Sequence, residues 1–271
     1  MLRGAGAGVW LGMTFLVLIV IAAGAPGLLA HGSPDATNPL TALEPPGAGH
    51  LFGTDQNGRD LYIRIVYGTR ASVLTGLGAT AIALVAGTVL AALGVLGGRA
   101  GDALVMRLVD ALLAIPGLIM AMLVITVLNT GTVSSMIAIA VIGVPVYTRL
   151  VRGQLLTVRR SGYVEAATAL GLRPARITLR HMIPNAIPPV LLFATIGSGA
   201  AIGAVAALSY LGLGQPPPAP QWGTMLQEGQ EYFSVAWWTA VVPGVALTLT
   251  VLSVTLVGHH FQRALARRGE Q

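Results

Sequence analysis

Six apolar stretches dominate the chain, at 9–30, 72–96, 103–128, 133–155, 187–211 and 236–257. A bilayer core about 30 Å thick is crossed by roughly 20 apolar helical residues, so each stretch is long enough to span it. Inside lipid every backbone N–H and C=O needs an internal partner, which makes each stretch a helix. The fold class that follows is all-α and integral to the membrane, with six transmembrane helices. Composition agrees. The chain is 54% hydrophobic and 10% charged, whereas a soluble domain carries roughly 25% charged residues. Glycines recur within the stretches, as in "GLGATAIALVAG" (76–87) and "GSGAAIGAVAA" (197–207). Small residues let helices approach closely in lipid, so a compact bundle is expected. The first stretch, preceded by Arg3, also fits a secretory signal. On either reading the loop after it lies outside.

All sixteen basic residues are arginine, and the net charge is +6. A basic balance can signal nucleic acid, but here its placement reads as membrane orientation. With a cytoplasmic N-terminus, Arg3, Arg99, Arg107, Arg149, Arg152, Arg159, Arg160, Arg173, Arg176, Arg180, Arg263, Arg267 and Arg268 fall inside or at the inner edge, and only Arg59, Arg64 and Arg70 outside. Thirteen against three places both termini in the cytoplasm. No nucleic-acid partner is expected. Cysteine is absent, which excludes disulfides and thiolate metal sites.

On this topology the stretch "SGYVEAATALGLRPARITLRHMIPN" (161–185) is a cytoplasmic island between the fourth and fifth spans. It reads as two short helices. Ser161 can cap the first, with Tyr163 and Glu165 in its opening turns, where negative charge suits the helix dipole. Ala166, Ala167 and Ala169 favour helix and leave a smooth surface. Gly171 suits a left-handed stop, and Pro174 the start of the second helix. Arg176 and Arg180 stand four apart on one face, near His181. Pro184, followed by Asn185, breaks the chain and forms a hinge before the fifth span. A short helix pair projecting from a bundle can dock in a groove on a soluble partner. A solvated connector whose arginines merely anchor topology is the plainer alternative.

Glu165-Ala166-Ala167, then Gly171, then a close at Ile183-Pro184 resembles the EAA loop of permease subunits in bacterial ATP-binding-cassette importers. "RHMIPN" (180–185) is similar to the peptide/nickel branch, although His181 stands where an apolar residue is usual. "HLFGTDQNGRDLYIRIVYGTRASV" (50–73), "MRLVDALLAIPGL" (106–118) and "LSYLGLGQPPPAPQWGTML" (208–226) resemble further segments of the C-type subunit of dipeptide or oligopeptide permeases. Asn57, Ala206 and His259-His260 depart from that pattern.

The resemblance implies a MetI-like helical bundle in the bacterial inner membrane. It would have an N-terminal helix, outer loop and amphipathic segment over 1–68 and a five-helix permease core over 69–271. It implies that Tyr163, Glu165, Ala166, Ala167, Gly171, Arg173, Arg176, Arg180 and His181 couple the bundle to ATPase subunits. Implied partners are a second homologous permease, two ATPase domains (separate or fused), an extracytoplasmic binding protein and a peptide substrate. Nickel, haem or glutathione are the alternative solutes. ATP and magnesium would be bound by the ATPase partners, with no cofactor in this chain.

Other constellations are expected to be structural. A calcium loop starting at Asp55 would need Gly and Glu where Asp60 and Val66 stand. Instead a turn at 55–58 precedes a short helix, with Leu61, Tyr62 and Ile65 on the bilayer surface. Asp55, Arg59, Asp60, Trp222, Glu228 and Glu231 are candidate outer-face contacts; Glu228 and Glu231 have no arginine near them in sequence. The prolines of "GQPPPAPQWG" (214–223) favour a stiff, extended outer loop. Asp110 is expected to pair with Arg107 on its own helix. Adjacent histidines point about 100° apart on a helix, so His259 and His260 do not share a metal. With no Lys, the chain has no phosphate-binding G-x-x-x-x-G-K-[ST] loop. The spans hold few charges, unlike those of an ion-coupled carrier. The energy source is therefore expected outside this chain, with a secondary carrier or a transport-free scaffold as rivals.

Overall fold

The computed structural model describes residues 6–269, with side chains through Arg263. Arg3 and the side chains of Arg267 and Arg268, counted above as cytoplasmic, lie outside the described residues. The helices are α1 (Ala7–Gly24), α2 (Leu61–Leu96), α3 (Gly98–Leu113), α4 (Gly117–Leu128), α5 (Thr132–Arg159), α6 (Gly162–Ala169), α7 (Pro174–Ile177), α8 (Ile183–Tyr210), α9 (Trp222–Gln230) and α10 (Trp238–Gly269). Five helical segments are long and apolar enough to cross a membrane; a sixth crossing requires α3 and α4 to count as one broken span.

Two spans differ from the sequence reading. The stretch 103–128 is not one rod, because α3 and α4 meet at 93°. Pro116 lies at the break, as the residue that precedes α4. Its ring fixes φ and clashes with a preceding helical turn, so the helix stops and restarts in a new direction. Conversely, the short surface helix expected after Asp60 is the first part of α2, a single helix of 36 residues. At about 1.5 Å per residue it is about 54 Å long, so it outreaches the hydrocarbon core. Asp60 caps it, its Oδ1 accepting from Ile63 N at 3.1 Å. Leu61 is buried rather than on the bilayer surface, because α9 and α10 bring Trp222, Met225 and Trp238 into the same apolar cluster. The expected boundary at 68/69 falls inside this helix.

Glycines set the closest approaches. A Cβ on Gly76 would stand 2.8 Å from the backbone of Ile202, and one on Gly87 2.8 Å from Thr148 N. Helix α2 therefore lies almost backbone to backbone against both α5 and α8, the packing that small residues permit in lipid. The core of α2, α5 and α8 is continuous with Val164, Ala167, Ile177 and Met182 of the 161–182 segment. That segment sits beside Val95 and Leu96 at the far end of α2. The N-terminal end of α2 carries a charged cluster with Asp55 and Glu228. The bundle thus has two chemically distinct ends.

Candidate functional site

Residues 161–182 form a helical foot on the bundle. Ser161 does occupy the residue before α6, with extended backbone at φ −79° and ψ 145°, but its side chain does not cap the helix. Its Oγ donates backwards to the Val158 carbonyl at 2.6 Å, which ties the foot to α5. Its own carbonyl accepts from Val164 N and Glu165 N. At the other end Gly171 has φ +74°. Gly171 N donates to Thr168 O at 3.0 Å and Leu172 N to Ala167 O at 3.2 Å. These two bonds close a Schellman stop and satisfy carbonyls that the helix end leaves bare. The left-handed stop read from the sequence is present.

The second half differs from two separate helices. Arg173 is extended, Pro174 starts α7, and the helix then continues through a π-helical turn, Thr178–Met182, into α8. The chain therefore does not break at Pro184. A π turn shifts the carbonyl register by one residue, so the N–H that proline lacks can be absorbed where the ladder is already offset. Asn185 Nδ2 donates to the His181 carbonyl at 2.7 Å and supplies a donor beside that offset. The foot is thus the start of a membrane-crossing helix.

Its two faces differ sharply. Val164, Ala167, Ile177, Thr178 and Met182 are buried against the bundle. Glu165, Ala166, Gly171, Arg173, Arg176 and Arg180 are exposed, and His181 is half-buried. Tyr163 shares the outer face, and two apolar residues absent from the sequence-based set join it: Leu170 is 82% exposed and Leu179 60%. Leu170 was legible in principle, as an apolar residue beside Gly171 in a polar island, but no periodicity marks it. Below the foot a cavity of about 580 Å³ separates α6 from the end of α2, lined by Leu96, Arg159, Glu165 and Thr168 among others.

Two ion pairs pin α3 to α5. Arg152 engages Asp102 with both prongs, Nε to Oδ1 at 2.5 Å and Nη2 to Oδ2 at 2.6 Å. Asp110 pairs with Arg149, Nη2 to Oδ1 at 2.5 Å, and not with Arg107 as the helical spacing suggests. The neighbouring helix offers the better geometry across the α3–α5 interface.

At the opposite end the expected outer contacts are mostly interior. Asp55 Oδ1 accepts from Asn57 N and Arg59 N, making the turn read at 55–58. Its Oδ2 accepts from Arg59 Nε at 2.5 Å. Arg59 Nη2 reaches Glu228 Oε2 at 3.2 Å, so Glu228 does have an arginine partner, delivered by the fold. Arg64 donates from Nη1 to the carbonyls of Pro34 and Pro218, each at 3.1 Å. Asp55, Arg59, Arg64 and Trp222 are buried and so are not free to meet a partner. Asp60 is held by His50 Nδ1 at 2.7 Å, while Glu231 is exposed. The proline run turns back instead of extending, closed by a bond from Gln215 N to Gln221 Oε1 at 3.0 Å.

The long apolar helices, with a structured foot at one end and a bonded cap at the other, define a multi-pass membrane-protein bundle. The chain belongs to the family of binding-protein-dependent transport system inner membrane components, whose model matches residues 83–270. It is 40% identical over 247 residues to the dipeptide transport system permease protein DppC of Alkalihalophilus pseudofirmus, covering 91% of this chain and 81% of that protein. It is 38% identical over 259 residues to the probable D,D-dipeptide transport system permease protein DdpC of Escherichia coli K12, covering 95% and 86%. The fold is shared with an amino acid ABC transporter crystallised with histidines, at TM-score 0.59 and 15% identity over 74% of this chain and 94% of that one. By family this chain is therefore an inner membrane permease component of a binding-protein-dependent transport system.

Proposed function

We propose that this subunit forms half of a translocation path for short peptides, and that residues 161–182 couple the path to ATPase partners. The relatives' names support the solute. The observation that supports coupling is the foot's two-faced build: one face continuous with the core of α2, α5 and α8, the other presenting Glu165, Ala166, Leu170 and the arginines to a partner.

On this reading both termini and the foot are cytoplasmic, and the cap with Asp55 and Glu228 faces outward. A second homologous permease completes the path. Two ATPase domains bind ATP and magnesium below it, and this chain does not hydrolyse nucleotide. An outer binding protein delivers the peptide. Closure of the ATPase pair on ATP moves the foot. Because α7, the π turn and α8 are one continuous helix, that motion is carried into the span. Nucleotide shifts the balance between inward- and outward-open states only through its differential affinity for them.

The test is uptake by a strain lacking this subunit, complemented with it and offered dipeptides, nickel, haem and glutathione separately. Restoration of dipeptide uptake is expected. Restoration of another solute alone would replace the peptide reading, leaving the coupling reading to be tested at the foot.

A further inference from the structure

Arg70 differs from the other cations at the capped end. Arg59 and Arg64 are buried among carboxylates. Arg70 is exposed and enters no salt bridge among the described residues. Its height in the membrane is set by α1. That helix has 18 residues, about 27 Å at 1.5 Å per residue, close to the hydrocarbon thickness of about 30 Å. It ends at Gly24, and Ala23 and Gly24 flank a hollow that Arg70 also lines. On α2, residues 71–96 carry no charge. Arg70 therefore stands at the boundary between hydrocarbon and headgroups.

The hollow, about 340 Å³, lies between α1 and α2. Apart from Arg70 its walls are apolar, with Ile19 and Val20 on α1 and Val73, Leu74 and Leu77 on α2. Leu77 is seven residues beyond Arg70, about 10 Å deeper in the bilayer. Val20, Leu74 and Leu77 are exposed, so the slot opens on the surface of the bundle. Arg70 and Leu74 also border a second hollow, of about 430 Å³, which the cap loops reach and where Tyr67 and Gln215 add polar groups. One cation thus stands between a polar-edged hollow and an apolar slot. The order matches headgroup, phosphate and acyl chain. A helix packed here would fill the slot but would need a carboxylate at its boundary to pair the guanidinium. The bilayer supplies phosphates at that height, and the guanidinium fork fits two phosphate oxygens.

We propose that Arg70 and the α1–α2 slot bind one anionic phospholipid, of the phosphatidylglycerol type, in the leaflet on the cap side. Its phosphate accepts from the Arg70 guanidinium, one acyl chain fills the slot, and its headgroup lies toward Tyr67 and Gln215. The lipid closes the gap between α1 and α2. The inference rests on these two helices crossing the bilayer and is independent of the solute.

The test uses the complete transporter, purified and stripped of lipid in detergent. It is titrated in mixed micelles with fluorescent phosphatidylglycerol or phosphatidylcholine, and native mass spectrometry counts the lipids retained. The wild type is expected to bind phosphatidylglycerol about tenfold more tightly than phosphatidylcholine, the scale of a hydrogen bond to a charged group. Arg70→Gln should abolish that preference and retain one phosphatidylglycerol fewer per copy of this chain. Arg70→Lys keeps the charge and should keep most of the preference. Val20 lines the slot and is 70% exposed, so Val20→Trp fills the slot from its open side. It is expected to weaken both lipids several-fold with the preference intact. A wild type without preference, a preference that survives Arg70→Gln, or affinities unchanged by Val20→Trp overturns the inference. Loss of the second permease from the Arg70→Gln complex also overturns it, by making Arg70 a subunit contact. Displacement of the lipid by equimolar inorganic phosphate overturns it too, by making the site one for a soluble anion.

Discussion

Arg59 Nη2 lies 3.2 Å from Glu228 Oε2, although 169 residues separate them. The contact joins the loop before α2 to α9. It belongs to a cluster in which Asp55 bonds Arg59 and lies 3.6 Å from Arg64 Nε. Two guanidiniums and a carboxylate are buried together here. Such a cluster is sustained by its internal pairing, because a buried charge that loses its partner keeps its desolvation cost.

Asp55→Asn separates the two roles of that residue. The amide retains an acceptor for Asn57 N and Arg59 N but removes the negative charge between two arginines. Breaking a buried pair costs about 3–5 kcal/mol. A fall in melting temperature on the order of 10 °C is expected for the detergent-purified chain, with Asp55→Ala lower still because the turn is lost too. A melting temperature unchanged in Asp55→Asn would mean that Glu228, together with Asp35 at 3.7 Å from Arg64 Nη1, suffices to hold the arginines.

Gly171 is the next position where one atom matters. Its φ of +74° costs a residue with a Cβ about 1–2 kcal/mol, while open space surrounds it. Gly171→Ala is expected to insert normally and to lower peptide uptake several-fold. Gly171→Asn, which tolerates the left-handed region better, should retain more uptake than Gly171→Ala, and Gly171→Val less. Equal uptake across the three would show that the foot's stop plays no part in coupling.

The bidentate pair of Arg152 and Asp102 predicts a recoverable defect. Each side chain is roughly one-third exposed, so solvent screens the pair and its worth is about 1 kcal/mol or less. Arg152→Asp alone sets two carboxylates together and is expected to loosen α3 from α5. The reversed pair, Asp102→Arg with Arg152→Asp, should regain most of the lost melting temperature. A double-mutant cycle gives the coupling energy directly; a value near zero would assign the hold on α3 to apolar packing.

The sequence exposed what is local and hid what is distant. Gly171 and Pro174 were legible because a left-handed stop and a helix start each depend on one residue's own backbone. The apolar stretches were legible because lipid imposes length and composition on each helix separately. Partners of charges were not. Spacing suggests Arg107 for Asp110, and only the packing of α3 on α5 brings Arg149 instead. Glu228 has no arginine near it in sequence and meets Arg59 through the fold of the cap. Leu61 reads as a surface residue until Trp222, whose indole donates to the Ile65 carbonyl at 3.0 Å, is placed over that turn of α2. Pro184 reads as a break until the π turn before it is seen.

Leu170 carries the sharpest prediction at the foot. Its side chain is 82% exposed, at the end of α6 beside the Gly171 stop, and it makes little contribution to the bundle's own packing. An apolar residue held in the open, on a foot where Tyr163, Glu165 and Arg173 are also exposed, has the character of an interface contact. Leu170→Asp should therefore leave the melting temperature of the isolated chain unchanged within about 1–2 °C, since surface changes cost about 0.5 kcal/mol or less. The same change should weaken association with the ATPase subunits about thirtyfold or more, as loss of a contact worth about 2 kcal/mol does. Co-purification of tagged chain with ATPase, followed by titration of the ATPase onto the immobilised chain, measures both. Leu170→Met preserves the apolar contact and should bind as the wild type does. If Leu170→Asp binds as tightly as Leu170→Met, docking must rest on the charged residues of the foot, and Arg173 and Arg176 become the positions to substitute.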